Sequence, residues 1–257
     1  MSALRALIFD VDGTLADTEG EGHLPAFNEA FAAAGLDWHW SPALYRELLS
    51  VAGGRERLRH YMTHYLPPEQ RPEDVAGLAT RLHQDKNRRY ETLLRAGRIG
   101  LRPGVARLLG EAREAGLTLA IATTSVRENV LTLLQCTLGS EAPNWFQVMA
   151  TADEVTEKKP SPRVYEYTLD ALGMAPSQCL VFEDSENGLH AARAAGLETI
   201  VAVNAFTRDG RFDDALLVLD HWGEPDRPCR VLGGRRRDRF DAARPWLDLA
   251  QLRRLRP

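Results

Sequence analysis

The sequence contains only three cysteines, Cys136, Cys179 and Cys229, and they lie far apart. An odd number at such distances forms neither a disulfide framework nor a zinc-binding spacing, so we expect a reducing, cytoplasmic environment. The chain also lacks any apolar run near the roughly 18 residues of a membrane-spanning helix. Residues 1–5 lead directly into a predicted strand, and we therefore expect neither a signal peptide nor a membrane partner.

The net charge of the 257 residues is −4, but it is unevenly distributed. Residues 230–257 contain nine arginines and three aspartates, which leaves about −10 for the remaining chain. We treat residues 233–257 as a basic C-terminal extension. Such a segment could bind nucleic acid or a protein partner. A solvated face that packs on an acidic body is the more common case, so we expect no nucleic-acid partner.

Short apolar runs alternate with helical patterns over most of the chain. Strands are predicted at residues 6–9, 117–122, 146–150, 179–182 and 199–203. The helical patterns between them end at Gly116, Gly173 and Gly196, as helices often do. This alternation predicts an α/β fold, a Rossmann-like parallel sheet with helices on both faces.

The segment 17–100 differs because it contains helical patterns and no convincing strand. Helices are predicted at residues 26–34, 42–49, 55–65 and 75–94. We interpret residues 17–100 as an inserted helical cap domain and residues 1–16 with 101–257 as the α/β core. Arg102-Pro103-Gly104 is the expected return hinge.

Asp10 and Asp12 directly follow the first predicted strand, in the stretch Asp10-Val11-Asp12-Gly13-Thr14. Two carboxylates at i and i+2 on extended backbone point the same way. Open α/β sheets place their ligands at this end of a strand. A hard cation such as Mg²⁺ would relieve the repulsion between the two carboxylates. A solvated Asp-Gly turn is the alternative for the pair alone.

Three later strand ends carry further polar groups. Thr123-Thr124-Ser125 offers hydroxyls and backbone N–H groups suited to phosphate oxygens, or an ordinary helix cap. Lys159 could neutralise a phosphate and an aspartate. Spacing alone does not exclude the neighbouring Lys158 from this role, and any single lysine is more often a surface residue. Glu183-Asp184 again suggests a cation, or the acidic first turn of a helix.

These four motifs, in this order and with a helical insert after the first, resemble the haloacid dehalogenase-like hydrolase superfamily. The resemblance covers residues 1 to about 220. Asp17-Thr18-Glu19, the stretch from Gly53 to Arg57, and Leu101-Arg102-Pro103-Gly104 look most like its CbbY-type branch. The arginine-rich C-terminal run departs from the family pattern.

The resemblance implies an Mg²⁺-dependent phosphatase that works through an aspartyl-phosphate. Asp10 would be the nucleophile, and Asp12 the general acid and then base. Mg²⁺ would bind Asp10, the carbonyl of Asp12, and Asp184, with Glu183 contributing directly or through water. The phosphoryl oxygens would be held by catalytic Thr123 and Lys159, and by substrate-binding Thr124 and Ser125.

The resemblance also implies that cap residues recognise the leaving group. Glu19 and His23 would bind sugar hydroxyls, although a polar helix entry explains them equally well. Gly54 and Arg55 match a specificity loop in which the arginine binds a distal phosphate, a contact to which guanidinium is suited. Lys86 resembles a second cationic position.

Two cationic cap groups favour a substrate with two phosphates. Within the CbbY-type branch this implies a monomeric, cytoplasmic enzyme that converts xylulose-1,5-bisphosphate, an inhibitor of Rubisco, to xylulose-5-phosphate, with a role in carbon fixation. A β-phosphoglucomutase-like mutase would share every core motif. A phosphoglycolate phosphatase is a second alternative, but its small substrate would leave Arg55 and Lys86 without a role. A non-catalytic protein that binds RNA or a partner through its basic extension is disfavoured by the intact core motifs.

Overall fold

Residues 3–51 and 53–256 are described by a computed structural model of the chain. The chain forms two compact units: Met1–Asp17 together with Gly100–Pro257, and Thr18–Ile99. We call them the core unit and the helical unit. The chain therefore passes between the units twice, and the return passage comes at Ile99–Gly100, before the expected hinge at Arg102.

A seven-stranded sheet, in the order β3-β2-β1-β4-β5-β6-β7, runs through the core unit. The strands are β1 Ala6–Phe9, β2 Thr118–Ala122, β3 Phe146–Ala150, β4 Cys179–Glu183, β5 Thr199–Ala202, β6 Leu217–Leu219 and β7 Val231–Gly233. All neighbours are parallel except β6 and β7. β1 is central and completely buried, as its purely apolar sequence predicts.

The α-helices of the described residues fall into two groups. The helical unit contains α1 Leu24–Ala33, α2 Pro42–Leu48, α3 Gly54–His64 and α4 Val75–Arg95, and the core unit contains α5 Val105–Glu114, α6 Arg127–Leu138, α7 Arg163–Leu172, α8 Glu186–Ala194 and α9 Leu249–Leu255. Gly116, Gly173 and Gly196 follow α5, α7 and α8 with φ of 71°, 62° and 75°. The predicted fold class is confirmed.

In the helical unit, an aromatic cluster lies between the helices. Trp40 is fully buried, and its ring lies 4.7 Å from Phe27, 5.0 Å from Phe31 and 5.4 Å from Tyr61, measured between centroids. α4 packs against both α1 and α3. Within the described part of residues 18–99 there is no strand.

The arginine-rich C-terminal segment is part of the core unit. Arg235, Arg244 and Arg254 pair with Glu198, Asp248 and Asp241 of the same unit. β7 extends the sheet as an antiparallel strand, and α9 packs against α5. Sequence reasoning predicted neither β6 nor β7, because each has only three residues.

No helix among the described residues has the length and apolar composition needed to cross a membrane.

We expect Gly104→Ala to destabilise the core unit by more than about 2 kcal/mol. Gly104 has φ +93°, and a Cβ there would lie 2.5 Å from the Gly223 carbonyl oxygen and 2.7 Å from Trp222 Cβ. Gly110→Ala is the matched control, because Gly110 lies inside α5 with open space around it, and alanine there should stabilise by about 0.5–1 kcal/mol. Urea unfolding measures both, and equal shifts would contradict the expectation.

Candidate active site

The carboxyl ends of the central strands bring polar residues to one edge of the sheet. Because β2 and β4 flank β1 in register, Asp10 after β1 and Glu183 at the end of β4 lie at the same level, and Thr123 after β2 lies one residue further along. Carboxylate oxygens of Asp10, Glu183 and Asp184 lie within 4.8 Å of one another, and all three residues are buried. We call these three residues the acidic cluster.

Lys159 supplies a buried positive charge to the acidic cluster. Its ammonium donates to Asp10 Oδ1 at 2.7 Å, to Glu183 Oε1 at 2.6 Å and to the Ala122 carbonyl at 2.9 Å. These bonds use all three ammonium hydrogens. The side chain is 7% exposed, so water screens its charge little. Lys159 is thus the lysine that the structure brings to the acidic cluster.

Glu183 is held on every side by the protein. Its Oε1 also accepts from the Tyr165 hydroxyl at 2.6 Å, and its Oε2 accepts from the Asp184 backbone N–H and the Ser185 hydroxyl. The carboxylate occupies the space that a Cβ at Gly188 would fill. The first turn of α8 can therefore approach Glu183 only because residue 188 is glycine.

Asp184 is fixed in a similar way against the loop after β1. Its Oδ2 accepts from Asn204 Nδ2 at 2.7 Å. Gly13 has φ +80°, and a Cβ there would overlap the Asp184 carboxylate. The glycine of the first motif therefore serves two purposes: it permits the turn, and it leaves room for this aspartate.

The acidic cluster has less positive charge than negative charge. Burial raises the pKa of Asp10 to about 7, with Lys159 opposing that rise and Glu183 adding to it. Burial, followed by the charges of Asp10 and Glu183, raises the pKa of Asp184 well above its usual range. Burial lowers the pKa of Lys159, but the two carboxylates outweigh it and raise that pKa above its ordinary value. A further cation would stabilise the ionised cluster.

The remaining core residues of the predicted site surround the loop after β2. Ser125 Oγ donates to Asp12 Oδ2. Thr123 is buried, and its Oγ1 accepts from the Ser125 N–H at 3.2 Å. Thr124 is exposed. The structure thus joins Asp12 to the hydroxyl loop that the sequence placed at a separate strand end.

In the helical unit, Glu19 is held by a buried pair. The Tyr45 hydroxyl donates to Glu19 Oε2 at 2.5 Å and accepts from Arg57 Nη1 at 3.1 Å. Arg57 Nε donates to the Leu48 carbonyl at 3.1 Å. Glu19 therefore has a fixed orientation.

His23 and Lys86 both contact the ring of Tyr90. The His23 ring is 4.2 Å from the Tyr90 ring, between centroids. Lys86 Nζ lies 5.0 Å from the centroid of the Tyr90 ring and 5.3 Å from that of Phe27. The lysine is 5% exposed, so the ring faces stabilise a charge that water scarcely reaches.

Gly54 packs closely against the ring of His83. A Cβ there would come 2.8 Å from His83 Cδ2 and 3.3 Å from Phe27 Cζ. Arg55, the next residue, is 55% exposed and pairs with Glu56 at 3.3 Å. The structure thus places Gly54 within the packed unit and the Arg55 side chain at its surface.

Sequence reasoning missed five residues that hold these side chains: Tyr45, Arg57, His83, Tyr165 and Asn204. Tyr165 falls on the apolar face of α7 and is indistinguishable from a core residue by pattern. Arg57 belongs to the quoted Gly-Gly-Arg-Glu-Arg stretch, but its burial distinguishes it from Arg55 only in the structure. Asn204 follows β5, a strand end that could have been searched like the others.

We expect acid to destabilise the helical unit through His83. Burial, then Lys86, lowers the pKa of His83 to about 4, while Arg55 and His23 add to this effect and Glu56 opposes it. The unfolded chain, with a pKa near 6.5, takes up the proton first, so stability is lost as the pH falls from about 6.5 to about 4. His83→Gln should show a smaller fall in Tm between pH 7 and pH 5 than the native protein. The exposed His64→Gln should keep the native dependence, and identical pH slopes for all three proteins would contradict the prediction.

Known proteins are similar to this chain in both sequence and fold. A model of the haloacid dehalogenase-like hydrolases matches residues 4–196. Protein CbbY of Cupriavidus necator is 49% identical over 252 residues, which cover 97% of this chain and 96% of that protein. The phosphorylated carbohydrates phosphatase of Thermotoga maritima is 30% identical and covers 81% of this chain and 89% of its own.

The crystal structure of a CbbY mutant from Rhodobacter sphaeroides, in complex with xylulose-1,5-bisphosphate, matches with a TM-score of 0.78 and 41% identity over 95% of this chain and 100% of that one. These matches confirm the superfamily and the CbbY-type branch that the four motifs indicate. The chain belongs to the haloacid dehalogenase-like hydrolases, and it is an enzyme of the phosphoric monoester hydrolase class.

Proposed function

We propose that the chain is an Mg²⁺-dependent sugar-phosphate phosphatase that transfers a phosphoryl group first to Asp10 and then to water. The observation that carries this proposal is the buried Lys159, bonded to both Asp10 and Glu183 beside Asp184. A carboxylate nucleophile attacks phosphate only where fixed positive charge reduces their repulsion.

The donor set of the acidic cluster fits Mg²⁺, which prefers oxygen ligands. Asp10, Asp184 and the backbone carbonyl of Asp12 would hold the ion, with Glu183 contributing directly or through water. Burial and mutual repulsion raise the pKa values of Asp10 and Asp184, so a bound cation would favour their ionised forms. When bound, Mg²⁺ would offset the negative charge of both the carboxylate and the phosphate.

Asp10 would attack the phosphorus atom in line, so that its carboxylate forms the new P–O bond as the sugar oxygen leaves. Asp12 would give its proton to that oxygen and then take one from the attacking water. The hydrogen bond from Ser125 supports this assignment, since it fixes the Asp12 carboxyl group in the loop after β1.

Thr123 and Lys159 would hold the phosphoryl oxygens, with Thr124 and Ser125 completing the phosphate site. Because Lys159 already donates three hydrogen bonds, a phosphoryl oxygen would take the place of one present acceptor. The lysine would thus stay charged throughout and stabilise the group in transfer.

We further propose that the helical unit is the substrate-recognising cap. Glu19 and His23 would bind sugar hydroxyls, and Gly54, Arg55 and Lys86 would bind the second phosphate. The exposed Arg55 offers a guanidinium for bidentate contact. Lys86, which is buried against the rings of Phe27 and Tyr90, would supply the second positive charge.

The proposed substrate is xylulose-1,5-bisphosphate, which water would convert to xylulose-5-phosphate and phosphate. The CbbY protein crystallised with this compound supports the choice, as do the two cationic cap residues. The assignment would give the enzyme a role in carbon fixation. We propose a monomer in the cytoplasm, and the three free cysteines suit a reducing compartment.

The decisive experiment measures magnesium-dependent phosphate release from xylulose-1,5-bisphosphate, ribulose-1,5-bisphosphate, glucose-1-phosphate and phosphoglycolate. We expect kcat/KM to be highest for the first, and Asp10→Asn to abolish turnover without a change in Tm beyond a few degrees. Isomerised glucose phosphate without free phosphate would identify a mutase. Activity retained by Asp10→Asn would overturn the role of Asp10.

We expect Lys159→Met to reduce kcat by at least 10²-fold, since one fixed charge at the reacting group is lost. Without metal, the variant also leaves three buried carboxylates uncompensated. The folded-state pKa of Asp10, which Lys159 lowers in the native protein, then rises further, so the variant's loss of Tm relative to the native protein should grow as the pH rises from 5 to 8. Lys158→Met is the matched control and should change neither quantity. Equal effects of the two substitutions would show that the wrong lysine has been assigned.

A further inference from the structure

Arg102 is buried and bound entirely by backbone carbonyls. Its Nη1 donates to Gly13 at 2.5 Å and Ala202 at 2.6 Å, and its Nη2 donates to Val203 at 2.6 Å and Asp220 at 2.7 Å. These acceptors belong to three segments: the loop after β1, the end of β5 and the end of β6. One side chain thus ties the first motif to two neighbouring strands.

This arrangement leaves the guanidinium without a role as a phosphate ligand. All four hydrogens of its two terminal nitrogens are used, and the residue is 8% exposed. Burying a charge costs several kcal/mol unless hydrogen bonds compensate it. Four carbonyl acceptors at short distance provide that compensation, so the function of Arg102 lies in where it holds those carbonyls.

A second donor fixes the next residue of the same loop. Trp222 Nε1 donates to the Thr14 carbonyl at 3.0 Å, and the side chain is fully buried. Its ring lies edge-on to Phe182 of β4, with centroids 5.3 Å apart. Gly104, two residues after Arg102, allows Trp222 to approach this closely because it has no Cβ. The successive carbonyls of Gly13 and Thr14 in the first motif are therefore each held by a buried side-chain donor.

We propose that Arg102, together with Trp222, is a positioning residue that fixes the backbone of Gly13 and Thr14 and thereby orients the Asp10 and Asp12 side chains. The proposal rests on the proposed function, in which these aspartates carry the chemistry. Neither Arg102 nor Trp222 touches the substrate. Their contribution is geometric, and a displacement of about 1 Å at a reacting group can cost about 10²-fold in rate.

The test compares Arg102→Met with Arg107→Met. Arg107 is a matched control because it also makes several hydrogen bonds within the core unit, to Glu224, Glu111 and the carbonyls of Gly223 and Leu247. It does not bond to the loop after β1. Both variants should lose Tm, but only Arg102→Met should also lose kcat, by about 10²-fold, with KM within about threefold of the native value.

A second measurement reports the loop directly. Hydrogen exchange followed by mass spectrometry should show faster exchange across residues 11–16 in Arg102→Met, and native exchange there in Arg107→Met. Arg102→Lys keeps the charge and part of the bonding, so it should recover part of the lost kcat. Trp222→Phe removes the bond from the ring nitrogen to Thr14 together with part of the ring's packing, and it should give a smaller change of the same kind.

Equal losses of kcat in Arg102→Met and Arg107→Met at similar Tm, or native exchange of residues 11–16 in Arg102→Met, would overturn the proposal. If Arg102→Met does not fold, Arg102→Lys and Trp222→Phe take its place, and native exchange of that loop in both would overturn it equally. Kinetics use xylulose-1,5-bisphosphate and p-nitrophenyl phosphate. If the native protein hydrolyses neither, the proposed function fails, whereas the exchange experiment still decides whether Arg102 fixes the loop.

Discussion

The structure of the site depends on one ammonium group placed among buried carboxylates. A parallel sheet brings the ends of β1 and β4 to the same level, so Asp10 and Glu183 lie side by side at an edge where both are buried. Their repulsion would disfavour this arrangement without Lys159, which bonds to both. Lys159 offsets only part of this negative charge, and the remaining imbalance is the ground on which we propose a cation site at this edge.

The same crowding explains where this fold requires glycine. At Gly13 and at Gly188, a carboxylate of the acidic cluster fills the volume of the missing Cβ. In both cases the close approach brings a backbone segment against a buried negative charge, the loop after β1 in one and the first turn of α8 in the other. Glycine in these motifs is thus as much a part of the charged site as the acids are.

Sequence reasoning predicted the five longer strands, the helical insert and every member of the acidic cluster, because each shows a local pattern. It left Lys158 and Lys159 equivalent, since only the course of the loop decides which ammonium is buried. It missed Tyr165 and Arg57, whose partners Glu183 and Tyr45 lie 18 and 12 residues away. Residues that support a site through such contacts carry no local signal, and β6 and β7 are too short to show one.

The C-terminal segment shows how a charge count can mislead. Its arginines are numerous in sequence, yet Arg235, Arg244 and Arg254 each pair with an acid of the same unit. Leu247 of this segment donates its backbone N–H to the Trp222 carbonyl at 2.7 Å, and the Trp222 ring nitrogen donates to the Thr14 carbonyl in the first motif. The C-terminal segment is thereby joined through Trp222 to the loop after β1. The charged composition of the segment describes its exposed residues. Its buried residues Leu247, Leu252 and Leu255 are the ones that attach it to the core unit.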